Sequence, residues 1–412
     1  MENKTRITLD KMGFDKHLEL LTPSQQQFTT LLSDWIDRPR NMITLISGGP
    51  GTGKTHVVTT SLDFVKNATQ LRMAYTARIA QQIGGRTMHS SLLMAWGETS
   101  LLRTLEKQLE NETNVDACLN ASALLKDSLC YEGACPSIII VDEIGMIPYW
   151  LLYWIIRYFM DEAEKPILFV GMGDSHQLRP VKSNNNLFGV ECVERDFETH
   201  RIELVESKRF HRDYEPVIET LKQFVNKRDV AGLFNYIAQV FPVVPEINAS
   251  HLQKCQKALS FKNNSVDTYN NYYLKKILPG KTIRLYAYDS FSNEPIKESF
   301  VDVKPSCKVY VTQNGFSDVA NGTLLIFKTY VSSKDVVRCL NPKNNATVDV
   351  RRNHQGKFPL VLGFASTVHK FQGFTIDDPA IVINFDGSDD LNLVYTALSR
   401  VRSMEQILAI AL

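Results

Sequence analysis

Gly48-Gly49-Pro50-Gly51-Thr52-Gly53-Lys54-Thr55 is the stretch whose reading decides the fold. It fits the pattern G-x-x-x-x-G-K-[ST] and follows Met42 to Ser47 (MITLIS), a short apolar run of strand-forming residues. Glycines there let backbone N–H groups turn inward around an anion without Cβ clashes. A helix beginning near Thr55 would add its positive amino-terminal end to the same cradle. This chemistry assigns Lys54 to the β- and γ-phosphates of a nucleoside triphosphate and the Thr55 hydroxyl to Mg²⁺. A strand before, a helix after and the complete GKT ending separate it from an ordinary glycine-rich turn.

A phosphate loop of this kind needs a carboxylate at the end of a neighbouring strand. Ser137 to Val141 is a continuous apolar run, the pattern of a strand covered on both faces, and it ends in Asp142-Glu143. Asp142 is placed for Mg²⁺, and Glu143 for polarising an attacking water. A third run, Ile167 to Val170, leads through Gly171 and Gly173 to Gln177 and Val181. Gln177 is a candidate for contact with the γ-phosphate or the attacking water.

The composition sets the frame for these motifs. With 412 residues, 44% hydrophobic, 22% charged and 10% aromatic, the chain is globular and long enough for two domains. The formal net charge is +1, which speaks against a protein that simply coats nucleic acid. The sum hides an asymmetry. Residues 1–200 carry 19 basic and 24 acidic side chains, whereas residues 201–412 carry 27 and 21. The amino terminus has no secretion signal, and seven scattered cysteines suggest no disulfide framework. The longest uncharged apolar stretch, Ile144 to Ile156, is shorter than the ~20 residues of a spanning helix and reads as a buried core helix. An intracellular setting without a membrane partner is expected.

The second half repeats the phosphate logic with different residues. Glu203 to Phe210 offers Arg209 at a strand end, and Val394 to Arg402 reads as a helix projecting further arginines. Alone, each would be assigned to surface ion pairs. Phosphoryl transfer, however, gains from cations spanning its developing charge. Gly363 to Gly373 packs hydroxyls, His369, Lys370 and glycines into one loop suited to phosphate or sugar-phosphate contacts.

Taken in order, from about Leu21 to Val401, the motif set resembles the superfamily-one B-branch DNA helicases, specifically the PIF-type (petite integration frequency) and RecD-like family. Leu21 to Gln25 is similar to the adenine-reading Q motif, with Gln25 as the base contact. Gly48 to Thr55 matches motif I, Asp142 to Met146 motif II and Gly173 to Val181 motif III. Arg209 falls at the motif IV arginine and Arg400 at the motif VI arginine finger. Tyr75-Thr76-Ala77 with Ile83 to Ser90 is similar to the Ia/Ib segment that contacts single-stranded DNA, and Ala365 to Gly373 to motif V. Asn263 to Asn270 and Asn321-Gly322-Thr323 resemble further landmarks of the second motor domain. Phe210 stands where PIF-type proteins usually carry Gln, and Pro148-Tyr149 replaces an acidic spacing after motif II. With the end of the chain shortly after motif VI, this suggests a compact viral or phage type.

The resemblance implies an α/β fold of two RecA-like P-loop motor domains with parallel sheets, plus a small helical 1B insertion and an SH3-like 2B β insertion. The expected boundaries are 1–200 with 1B at about 91–136, and 201–412 with 2B at about 324–358. A simple helical connection is the alternative for 91–136. The basic stretch Arg351 to Lys357 in 2B reads either as a DNA-phosphate contact or as a solvated loop.

The implied activity is an ATP-dependent DNA helicase, a monomeric motor moving 5′→3′ on single-stranded DNA and acting at single-strand/duplex junctions. ATP and Mg²⁺ would bind between the motor domains, held by Gln25, Gly48, Gly51, Thr52, Gly53, Lys54, Thr55 and Gly373, with Thr55 and Asp142 on the metal. The catalytic set is Lys54, Glu143, Gln177, Arg209 and Arg400. DNA would be gripped by Thr76 and His89 in the first domain and by Thr367 and His369 in the second. A nucleus or a virus-infected cell is the expected setting. The rivals are an RNA helicase or RNA-stimulated triphosphatase of superfamily one, and a non-enzymatic nucleic-acid adaptor.

Overall fold

Three apolar runs of the first half form the centre of one parallel sheet. The computed structural model describes residues 6–412 apart from 93–97, 111, 162, 181–185, 290, 291, 293, 314, 320 and 374. Val181 of the third motif and parts of the 91–136 segment therefore lie outside the described residues. The chain divides into two compact units, between Glu215 and Pro216.

The main sheet of the first unit has the strands β1 (Met42–Gly48), β2 (Gln70–Ala74), β3 (Arg86–Thr87), β4 (Ile138–Asp142), β5 (Leu168–Gly173) and β6 (Glu198–Leu204). They lie in the order β3-β2-β4-β5-β1-β6, and every pairing is parallel. The period-two rule sorts their side chains between two cores. Met42, Ile46, Ile138, Ile140, Leu168 and Val170 face one cluster, with Phe28, Leu32 and Trp35 of α1 (Pro23–Asp37) and Val57, Val58 and Leu62 of α2 (Lys54–Asp63). Ile43, Leu45, Leu71, Met73, Ile139, Val141 and Phe169 face the other, with α3 (Tyr149–Asp161). Strands covered on both faces show no alternation, which is why they read as unbroken apolar runs.

The Ile144–Ile156 stretch becomes a short 3₁₀ turn and most of α3, which is buried along nearly its whole length. Among the described residues no helix is long and apolar enough to cross a membrane. In the 91–136 segment, helices Glu98–Gln108, Val115–Ala121 and Leu124–Ser128 place Leu102, Leu105, Leu119 and Leu125 in the same core cluster as α3. The expected boundary at 200/201 falls inside β6, which pairs along its full length with β1. That strand belongs to the first sheet, so the division comes some fifteen residues later, at 215/216.

The second unit has its own parallel sheet: β7 (Val243–Val244), β8 (Lys257–Ser260), β9 (Ala365–Thr367), β10 (Ile381–Asn384) and β11 (Ile407–Ala411), in the order β9-β8-β10-β11-β7. Between β8 and β9 the chain makes a hairpin of Ile283–Tyr288 with Pro295–Val303. A five-stranded antiparallel sheet follows, of Lys308–Val311, Leu324–Val331, Val336–Leu340, Thr347–Val350 and Leu360–Leu362. The β insertion is thus wider than 324–358, because two short strands, Lys308–Val311 and Leu360–Leu362, pair with each other at its base. Val309, Val311, Leu325, Phe327, Val337, Cys339, Val348 and Leu360 form its core.

Arg352 is not a solvated end of the basic stretch. Its guanidinium bonds to the carbonyls of Tyr286 and Gly356 and to Asp335, and stacks on Tyr288 at 4.4 Å and Phe358 at 4.1 Å. It ties the hairpin to the insertion.

Candidate functional site

The phosphate loop connects the end of β1 to α2 through two glycines in the left-handed region, Gly51 and Gly53, both at φ +81°. Lys54 folds back over the loop, donating to the carbonyls of Gly48 at 2.7 Å and Gly49 at 3.1 Å. Thr52 is buried and closes the turn by donating its hydroxyl to Gly49 at 2.9 Å. The α2 sequence, rich in Val and Thr, has modest intrinsic helicity. Burial of Val57, Val58 and Leu62 holds it in place, and with it the N–H groups facing the loop.

Two chain segments clamp this loop from outside. Gln25 sits at the third position of α1, where its amide oxygen accepts from the Thr22 N–H at 3.1 Å and so caps the helix. Its amide nitrogen donates to the Thr52 carbonyl at 2.8 Å, and the side chain is buried. After β6, the Ser207 hydroxyl donates to the Pro50 carbonyl at 2.8 Å and the Lys208 N–H to the Gly51 carbonyl at 3.0 Å. The next residue, Arg209, packs its Cβ where a side chain on Gly51 would stand. Glu206 joins the two clamps by accepting from the Thr22 hydroxyl at 3.0 Å and from the Ser24 hydroxyl. The Ser24 hydrogen bond holds its carboxyl below the usual carboxylate range.

At the end of β4, Asp142 is buried and accepts from the Thr55 hydroxyl at 2.8 Å and from the Glu143 N–H at 2.8 Å. Burial raises its pKa, against the opposing effects of those two hydrogen bonds and of Lys54. Glu143 adopts a left-handed backbone, φ 54° and ψ 46°. Such a conformation costs a non-glycine residue about 1–3 kcal/mol, the kind of strain found where a side chain must be aimed. A hydroxyl and a carboxylate side by side at a phosphate loop fit a Mg²⁺ ion, which takes one or two protein oxygens and otherwise phosphates and waters.

The end of β5 adds Asp174, a buried carboxylate. It accepts from the His176 N–H at 2.9 Å and from the Gln177 amide at 2.8 Å. Burial opposes its ionisation, but the His176 hydrogen bond and the charge of Lys54 prevail and hold its pKa at about 2. The buried amide oxygen of Gln177 has no hydrogen-bond partner among the described residues. Burial also pushes Lys54 below its ordinary value, while Asp174, Glu143 and Asp142 pull it back up.

The first unit thus gathers Gln25, Gly48 to Thr55, Asp142, Glu143, Gln177 and Arg209 around one loop. Asp174, Glu206 and Ser207 belong to the same cluster and were not singled out from sequence. Asp174 was within reach, since it stands just after a parallel strand as Asp142 stands at the end of one, whereas the role of Glu206 depends on contacts 182 and 184 residues away.

The nucleic-acid candidates of this unit lie at two neighbouring strand ends. Thr76 follows β2 and caps helix Ala77–Gln82, accepting from the Ile79 N–H at 3.4 Å. His89 follows β3 in the Met88–Ser91 turn, its ring 5.8 Å from that of Tyr75. Burial lowers the His89 pKa, so the ring is neutral near pH 7.

In the second unit the Gly363–Gly373 segment is not simply a loop. It contains the edge strand β9 and a 3₁₀ turn, Val368–Phe371. Thr367 ends β9 opposite Ser260 of β8, His369 is exposed in the turn, and Gly373 has φ +78°. Likewise Arg400 does not project from a helix. Helix Leu391–Leu398 ends two residues earlier, where the Ser399 hydroxyl donates to the Thr396 carbonyl. Arg400 then turns back, donating from Nε to the same carbonyl at 3.0 Å and from its terminal nitrogen to Ser399 Oγ at 3.0 Å.

A six-stranded parallel sheet with a phosphate loop after β1 and carboxylates at the ends of β4 and β5 defines a P-loop nucleoside-triphosphatase fold. A family model for an AAA domain matches residues 37–183. The ATP-dependent DNA helicase Pif1 of Bdellovibrio bacteriovorus is 24% identical over 390 residues, 87% of this chain and 82% of that protein. The Pif1 helicase from Candida albicans shares the fold at TM-score 0.64 and 19% identity, over 95% of this chain and 94% of that one. The Pif1 helicase from Bacteroides in complex with ADP-AlF3 and ssDNA does so at TM-score 0.61 and 19% identity, over 94% and 92%. Over most of its length the chain is therefore similar in sequence to one Pif1 helicase and shares the fold of others.

Proposed function

We propose that the chain is an ATP-dependent DNA helicase. The observation that carries this reading is the Thr55–Asp142 pair at the mouth of the phosphate loop, with Lys54 and Glu143 beside it. In that reading the loop N–H groups and Lys54 bind the β- and γ-phosphates, and Glu143 takes the proton of the attacking water. Arg209 contributes a cation to the transferring phosphoryl group. Thr55 and Asp142 would hold Mg²⁺, which when bound neutralises charge on the β- and γ-phosphates. Gln177, tied to Asp174, is suited to sense the γ-phosphate. The roles of Gln25 toward adenine, of Gly373 toward the nucleotide and of Arg400 as an arginine finger rest on their motifs.

DNA as the substrate is supported by the relatives, and Thr76 with His89, and Thr367 with His369, are the proposed grips. A stacking histidine beside Tyr75 and a few backbone contacts need only a local groove, which a net charge of +1 permits. Movement 5′→3′ follows from the family resemblance. The test is ATP hydrolysis with matched single strands of DNA and RNA as activators. Stimulation by DNA that is lost in Lys54→Ala supports the reading; stimulation by RNA alone would replace it with an RNA helicase.

A further inference from the structure

One buried cation in the second unit has no place in the nucleotide site. Lys257, the first residue of β8, is only 2% exposed. Burying an ammonium is costly unless its three donors are met. Its Nζ donates to the Gly363 carbonyl at 2.8 Å, the Ser366 hydroxyl at 3.0 Å and the Tyr310 hydroxyl at 3.3 Å. It also lies 4.4 Å from the ring centroid of Phe371 and 5.0 Å from that of Tyr310.

Gly363, Ser366 and Phe371 lie before, within and after the segment that carries Thr367 and His369. A single ammonium therefore fixes this segment at three points, with both DNA-gripping side chains between the second and third. Among the described residues the outer edge of β9 has no strand neighbour, and there Asn270 takes over. Its amide accepts from the Ala365 N–H at 2.8 Å and donates to the Ala365 carbonyl at 3.2 Å. Tyr310 belongs to the strand Lys308–Val311, so the same ammonium also seats the β insertion against the segment.

We propose that Lys257 is a positioning residue for DNA binding, holding Ser366 to Phe371 in the shape that presents Thr367 and His369 to a single strand. This rests on the reading that these two side chains grip DNA. Lysine suits the place better than arginine, because a compact ammonium can meet three acceptors and two ring faces where a planar fork cannot.

The test is a double-mutant cycle on the full chain. Binding of a fluorescent oligodeoxythymidylate is measured by anisotropy, and ATP hydrolysis is followed against its concentration. Lys257→Met keeps the length and apolar contacts but removes the charge, and is expected to weaken DNA binding about five- to tenfold. The concentration of DNA for half-maximal hydrolysis should rise by the same factor, with the rate at saturating DNA retained. His369→Ala should also weaken binding, and the double variant should be little worse than the weaker single one, because both remove the same grip. Ser366→Ala, which takes away one acceptor and leaves the cation, should shift binding in the same direction by less, and serves if Lys257→Met does not fold. Additive losses, or unchanged DNA binding in Lys257→Met and Ser366→Ala while His369→Ala weakens it, would overturn the proposal. Unchanged binding in both His369→Ala and Thr367→Val would instead overturn the DNA-grip reading itself, and the proposal with it.

Discussion

The Thr55 hydroxyl donates to the Asp142 carboxylate at 2.8 Å, joining the first turn of α2 to the end of β4 across 87 residues of sequence. Asp142→Asn leaves the strand in place but removes the anion that would face Mg²⁺. ATP hydrolysis should fall at least ~10²-fold, the scale of losing a preorganised electrostatic contact, and raising Mg²⁺ should recover little of it. Thr55→Ala should act in the same direction and more mildly. Steady-state hydrolysis across a Mg²⁺ titration checks both.

Gln25 both caps α1 and ties it to the phosphate loop, so its loss has two consequences. In Gln25→Ala the Thr22 N–H and the Thr52 carbonyl lose partners, at about 1–3 kcal/mol in all. The melting temperature should drop, and KM for ATP should rise several-fold with kcat changed less. A variant with lower stability but an unaltered KM would leave Gln25 as a helix cap only.

Gly51 is the point where the motif and the fold are most tightly bound. A Cβ there would stand against the Arg209 backbone and side chain, and φ is +81°. The left-handed backbone alone costs an alanine about 1–2 kcal/mol. Gly51→Ala should displace Arg209 as well as strain the loop, so hydrolysis should be lost together with nucleotide binding. Gly84 has φ +65° but nothing within 4 Å of an added Cβ, so Gly84→Ala should cost stability alone.

These residues differ in how plainly the sequence announces them. The phosphate loop is coded by spacing, and strands covered on both faces are coded by unbroken apolar runs, so Met42, Ile138 and Leu168 were placed to within a residue or two. The insertion was harder. Lys308–Val311 and Leu360–Leu362 are strands of four and three residues far apart in sequence, too short to show a period, and it is their pairing that closes the insertion at its base. Arg400 is expected on a helix because Val394 to Arg402 reads as one continuous helical stretch. The helix stops where Ser399 and Arg400 turn back onto the Thr396 carbonyl, a capping event that no periodicity records. Lys257 draws its role entirely from neighbours 53 to 109 residues away in sequence.

Asp174 supplies a pH test. Burial works against its charge, but His176 and Lys54 hold its pKa at about 2, below the ordinary 3.8. A depressed carboxyl contributes stability that is fully present above the ordinary value and is lost as pH falls through the folded one. Urea unfolding of wild type and Asp174→Asn should therefore show a stability gap at pH 6 that narrows below pH 3.8. A gap of constant size would mean that packing, not charge, is what the substitution removes.

The most direct measurement is strand separation on duplexes with a 5′ or a 3′ single-stranded tail, comparing wild type with Glu143→Gln. The expected result is ATP-dependent unwinding from 5′-tailed DNA only, abolished in Glu143→Gln while ATP binding persists. Unwinding from 3′ tails alone would contradict the direction of movement, and separation that needs neither ATP nor Glu143 would contradict the helicase reading itself.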